Sequence, residues 1–150
     1  MSELKEGISV GIKDSMKSGD KVRLSTLRLL SAAIKNKEVE LLHELTDEEV
    51  RDVAVKEAKR RRESIEAYQA GNRPELVSKE QAELEILKVY LPEQLSQAEV
   101  DALIDEVIAA TGATSAKEMG KVMGQVMAKA KGKADGASVQ MRVNTKLGPE

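Results

Sequence analysis

Apolar residues recur every three or four positions along almost the whole chain, and no stretch alternates apolar with polar for more than a few residues. That spacing follows the turn of an α-helix, about 3.6 residues, and not the two-residue repeat of a strand. The expected fold is therefore all-α. Leu4, Ile8, Ile12 and Met16 stripe a first helix from Glu3 to about Lys17. Ser18-Gly19-Asp20 breaks it and offers Asp20 as the N-cap of a second helix reaching about Leu42. Leu24, Leu27, Leu30, Ile34 and Leu41 are its apolar stripe. Thr46-Asp47-Glu48-Glu49 has capping-box spacing and opens a third helix, stopped by Gly71. Pro74, at a first-turn position, starts a fourth that ends before Pro92.

Pro92 is read as a domain boundary. Beyond it, Ser96-Gln97-Ala98-Glu99 is a second capping box, opening a helix to about Ala110. Ser115-Ala116-Lys117-Glu118 is a third, opening a helix to about Lys129. Gly132 interrupts the pattern, and Asp135 or Ser138 caps a last helix reaching about Leu147. The expected organisation is an N-terminal four-helix domain over residues 1–92 and a small three-helix domain over residues 93–150.

Composition narrows the chemistry. Hydrophobic residues make up 41% and charged residues 33%, enough apolar material for a core under a dense charged surface. No apolar run approaches the roughly 18–20 residues of a membrane helix. There is no cysteine, which excludes disulfides and thiolate ligands, and no signal-peptide pattern at the N-terminus; together these give the expectation of a cytoplasmic protein, read as a monomer. With no Phe or Trp, and Tyr68 and Tyr90 as the only aromatics, base-stacking platforms are scarce. Any nucleic acid would be held through its backbone. The single histidine, His43, excludes a multi-histidine metal site; it lies near a helix C-terminus, where an imidazolium suits the dipole.

Two basic clusters stand out. Lys56, Lys59, Arg60, Arg61 and Arg62 on the third helix interleave with acids, and Glu57 with Arg61 has ion-pair spacing, so this reads as a solvated face from which Arg61 crosses to a neighbouring helix. The segment from Lys117 to Lys146 differs. It holds seven basic residues against two acids, in a chain whose net charge is −2. Gly120 and Gly124 lie four apart on a predicted helix, where each costs roughly 1 kcal/mol relative to alanine. Close approach of another body would offset that, either a packed helix beside Met119, Val122, Met123 and Val126 or a nucleic-acid backbone. Lys129, Lys131 and Lys133 flank Gly132 ahead of the last helix, whose N-terminus favours an anion, with Asp135 partly occupying it. No Ser or Thr follows either Gly-Lys pair, so this is not a Walker loop.

The stretch Leu87 to Ser96, with Gly120-Lys121-Val122-Met123-Gly124 and Lys131-Gly132-Lys133-Ala134-Asp135-Gly136, resembles the GatB/YqeY family, stand-alone relatives of the tail domain of the B subunit of tRNA-dependent amidotransferases. The resemblance spans essentially the whole chain. It implies tRNA binding by the C-terminal domain, in connection with conversion of Asp-tRNA(Asn) or Glu-tRNA(Gln) to the amide. Amide transfer itself belongs to a separate catalytic domain that this chain does not resemble, so the carbon–nitrogen ligase label, with glutamine as nitrogen donor, describes the relative. The expected function is a non-catalytic tRNA-binding accessory protein with no cofactor and no metal. Lys117, Lys121, Lys129, Lys131, Lys133 and Arg142 are the expected phosphate contacts, and Gly120, Gly124, Gly132 and Gly136 the close-approach glycines. A protein partner in tRNA amidation is a further expectation. Two alternatives stand beside it: a helical protein–protein adaptor, and an amide-forming ligase in its own right.

Overall fold

The computed structural model describes residues 2–148. Every regular element among them is helical. The helices are α1 (Glu3–Ser18), α2 (Lys21–Leu41), α3 (Asp47–Ala70), α4 (Pro74–Leu87), α5 (Gln97–Thr111), α6 (Met119–Ala130) and α7 (Gly136–Leu147), with short 3-10 turns at Lys88–Tyr90 and Ala116–Glu118. Packing separates two compact units, one through Leu91 and one from Pro92 onward.

Local chemistry places most of the helix starts. Asp20 accepts from the Arg23 N–H at 3.1 Å. Thr46 and Ser96 each form both halves of a capping box, with Glu49 and Glu99 reaching back to the cap amides. Pro74 needs no cap partner at its missing N–H. The third proposed box does not form. Ser115 makes no side-chain cap bond, and the Glu118 carboxylate instead accepts from the Thr114 N–H at 3.3 Å. That turn winds as a 3-10 helix, so α6 begins at Met119.

In the first unit Ile8, Leu27, Leu30, Ile34, Leu45, Val50, Val53, Ala54, Leu87 and Tyr90 form the core. The stripe expected on α1 is corrected at its C-terminal end: Met16 is exposed, while Gly11 and Ser15 are buried. A four-residue step overshoots one turn by about 40°, so the stripe drifts off the core by its fourth member. Gly11 takes the inward position against α2; a Cβ there would lie 2.8 Å from Leu27 Cδ1 and 3.3 Å from Arg23 Nη2. The Ser15 hydroxyl is satisfied by donating to the Gly11 carbonyl at 2.7 Å. α3 and α4 are joined through a buried charge cluster. Arg61 Nη1 donates to Glu57 Oε2 at 2.9 Å, and its Nε lies 3.5 Å from Glu83 Oε2 and 3.9 Å from Glu80 Oε2. Burial pushes the Glu83 carboxyl up, Glu80 adding to this and Arg61 opposing it.

In the second unit Val100, Ile104, Val107, Val122, Val126, Val139, Val143 and Leu147 bring α5, α6 and α7 together around a core rich in valine. The segment after Pro92 is tied to the α6–α7 turn: the Leu95 N–H donates to the Lys133 carbonyl at 2.8 Å, and Gln94 Nε2 to the Gly132 carbonyl at 3.2 Å.

Candidate nucleic-acid interface

α6 turns Val122, Val126 and Ala130 into the core. Its other side is therefore fixed by the helical period, and Gly120, Lys121, Gly124, Gln125, Ala128 and Lys129 all face outward and are exposed. A Cβ built on Gly120 or Gly124 meets nothing within 4 Å. No described helix of the second unit packs on these two glycines, which removes a neighbouring helix of the same unit as their cause. Gly132 and Gly136 have local reasons. Gly132 sits at φ 79° in the left-handed turn after α6, following Lys131 at φ 49°. Gly136 opens α7 with its Cβ position 3.9 Å from Met127 Cε of α6.

The six cations divide into two groups. Arg142 is clamped by Asp101 of α5 through both Nε and Nη2, at 2.6 and 2.5 Å. The hydrogen bond between them holds the Asp101 carboxyl below its ordinary value and Arg142 above. Lys129 pairs with Glu106 at 2.9 Å, and Lys146 with Asp105 at 2.9 Å. α5 thus carries an acidic edge that neutralises cations of α6 and α7, and Arg142 and Lys129 are already engaged before any ligand arrives. Lys117, Lys121, Lys131 and Lys133 are exposed, and no ion pair holds them among the described residues. Sequence reasoning missed the neutralising acids. A signal existed: Asp101 and Asp105 repeat at the same four-residue spacing as Arg142 and Lys146, as two facing helices require.

The N-terminus of α7 is occupied from within. The Asp135 carboxylate accepts from the Ala137 N–H at 3.4 Å and from the Ser138 hydroxyl at 3.2 Å. The anion-favouring end of the helix dipole is met by that carboxylate. The open positive ground is therefore the Lys117–Lys121 side of α6 and the Lys131–Gly132–Lys133 turn.

His43, Arg60 and Arg61 each lie beside an acid of α3. His43 Nδ1 lies 2.8 Å from the Glu44 carbonyl and Nε2 3.4 Å from Glu49, the capping-box acid of α3. Arg60 is 3.4 Å from Glu57, and Arg61 crosses to α4 as described.

Fold and surface together describe a small all-helical protein with a glycine- and lysine-faced C-terminal unit. The family model described as Yqey-like protein matches residues 5–147, and the chain belongs to that family, the GatB/YqeY family. Among curated proteins it is similar to altered inheritance of mitochondria protein 41, mitochondrial, of Lachancea thermotolerans, 36% identical over 100 residues that make up 65% of this chain and 54% of that protein. The protein of the same description in Saccharomyces cerevisiae is 34% identical over 91 residues, 60% of this chain and 49% of its own length. That of Eremothecium gossypii is 32% identical over 109 residues, 67% and 59% respectively. The chain spans about half the length of the curated relatives it matches. These descriptions overturn the cytoplasmic expectation, because the relatives are named as mitochondrial proteins. The expectation rested on the lack of cysteine and of a secretory signal, and neither separates one reducing compartment from another.

Proposed function

We propose that the C-terminal three-helix unit is a tRNA-binding domain that holds the phosphate backbone of folded RNA, in a non-catalytic accessory protein linked to tRNA-dependent amidation. The N-terminal four-helix unit is then a separate domain. The observation that carries the reading is the outward face of α6: Gly120 and Gly124 have open space before them, with exposed Lys117 and Lys121 beside them and Lys131 and Lys133 at the following turn. Two missing side chains let a sugar–phosphate strand approach the helix closely, and four exposed cations that no ion pair holds among the described residues answer its charge. The near-absence of aromatics favours recognition of RNA shape over base stacking. The family resemblance to the amidotransferase tail supplies tRNA as the RNA class.

The test is tRNA binding across a salt series. Replacing Lys121, Lys131 and Lys133 together by Ala should weaken binding and make the dependence of log K on log salt shallower by about 2–3 units. Replacing Arg142 should change the slope little, because its charge is already met by Asp101. An unchanged slope in the triple variant would remove the reading. A second reading is favoured by Met119, Met123 and Met127, half-buried beside the two glycines, which suit a docked helix of a protein partner in an adaptor role. A partner held through RNase treatment and high salt, and lost on replacing Gly124 by Val, would select it.

A further inference from the structure

α2 has two faces, and only one is used by the core. Leu27, Leu30 and Ile34 are buried. On the opposite side Val22, Leu29 and Val39 are 44%, 51% and 71% exposed. They belong to a repeat of seven. Val22, Leu29 and Asn36 form one line, and Ser25, Ala32 and Val39 the other, all exposed. This is the a and d spacing of a helix seam, lying on the side turned away from the unit's own core.

A second regularity runs beside it. Lys21, Arg28 and Lys35 follow the edge of this seam at the same seven-residue spacing, about 10 Å apart along the axis, and all are exposed. Among the described residues of α2 no acid lies on this basic edge; the opposite flank of the seam (Thr26, Ala33, Glu40) carries one, Glu40, although acids outnumber bases in the whole chain, 26 to 24. The acids nearest in sequence are committed elsewhere. Asp20 caps α2, Glu38 is held by Lys5 at 2.6 Å and by the Leu45 N–H at 2.9 Å, and Glu40 pairs with Lys37 at 3.2 Å.

We infer that this face of α2 docks an amphipathic helix of another protein, one with an apolar heptad seam and acidic residues along the flank that meets Lys21, Arg28 and Lys35. A second copy of this chain fits poorly. Antiparallel pairing sets the Lys21–Arg28–Lys35 edge against itself. Parallel pairing sets it against Thr26, which is buried, Ala33, which is half-buried, and Glu40, already paired. A nucleic-acid backbone would gain nothing from the exposed Leu29 and Val39. The surface lies wholly on the first unit, so it stands or falls apart from the RNA reading of the second.

The test uses the full chain and a labelled synthetic peptide of about three heptads, with Leu at a and d and Glu at e and g, together with its Lys counterpart. The acidic peptide should bind saturably by fluorescence anisotropy and shift the backbone amide resonances of α2 between Lys21 and Val39. The Lys peptide should bind at least about tenfold more weakly. The pair Leu29→Glu and Val39→Glu, at exposed sites, should cost at least about tenfold. Replacing Lys21, Arg28 and Lys35 by Glu should reverse the preference towards the Lys peptide. Failure of both peptides to bind, binding that survives Leu29→Glu and Val39→Glu, or a preference unchanged by the charge reversal would overturn the proposal. So would a dimer of the chain alone that Leu29→Glu dissolves, or tRNA rather than peptide producing the α2 shifts.

Discussion

Replacing Gly120 and Gly124 by Ala separates stability from function on one helix face. Glycine inside a helix costs about 0.5–1 kcal/mol relative to alanine through the freedom it retains in the unfolded chain. Whether that gain is realised depends on what a Cβ would meet. At both positions it meets nothing within 4 Å, so no overpacking opposes it. The double variant should be more stable by about 1–2 kcal/mol, which for a unit of this size raises the midpoint on the order of 10 °C. Both tyrosines, Tyr68 and Tyr90, lie in the first unit, so their fluorescence does not report on the second. Amide hydrogen exchange at Val122, Val126, Val139 and Val143, buried in the second core, does report on it. Those amides should exchange about 5- to 30-fold more slowly if they open by unfolding of the unit. The same variant should bind tRNA more weakly, because two methyl groups stand where the backbone approaches. Slower exchange with unchanged tRNA binding refutes the close-approach role. Faster exchange refutes the structural premise, since it means that the face is already covered.

Gly11→Ala should act in the opposite direction. Its Cβ would lie 2.8 Å from the Leu27 side chain, which is fully buried and cannot step aside, so overpacking of about 1–3 kcal/mol exceeds the helix gain and thermal unfolding of the first unit should come earlier. The Asp101 carboxyl is held below its ordinary 3.8 in the folded chain by Arg142, so its contribution is present above that value and lost as pH falls through the folded pKa. Acid unfolding of the second unit, followed by amide exchange or NMR, should therefore become less steep in Asp101→Asn. The Glu83 carboxyl is raised by burial, so its contribution is present below the ordinary 4.5 and lost as pH rises through the folded pKa. Glu83→Gln should raise the denaturant midpoint of the first unit at neutral pH and flatten that dependence; a lower midpoint would show that the Arg61 contact outweighs the burial cost.

The helical class was legible in the sequence because its signals act within a turn or two. Thr46 with Glu49, Ser96 with Glu99, Pro74 and Asp20 each satisfy or remove backbone groups beside them, and the structure starts helices at those places. Ser115 with Glu118 has the same spacing and fails, because Glu118 finds the Thr114 amide instead. The family was legible for a related reason: its motifs are contiguous. The candidate site was legible as a list of residues and less so as a surface. Arg142 and Lys129 look like their lysine neighbours in sequence, and only packing sets them against Asp101, 41 positions away, and Glu106, 23 positions away.

The sequence by itself determined that the chain is helical, where most of its helices start, and that its basic excess lies beyond Lys117. The tertiary structure decided which faces turned inward. It buried Gly11 and left Met16 outside, kept Gly120 and Gly124 open, and left Val22, Leu29 and Val39 of α2 exposed. Capping and periodicity are local energies that a few neighbouring residues decide. Burial and charge neutralisation are settled between groups that meet only when the helices pack.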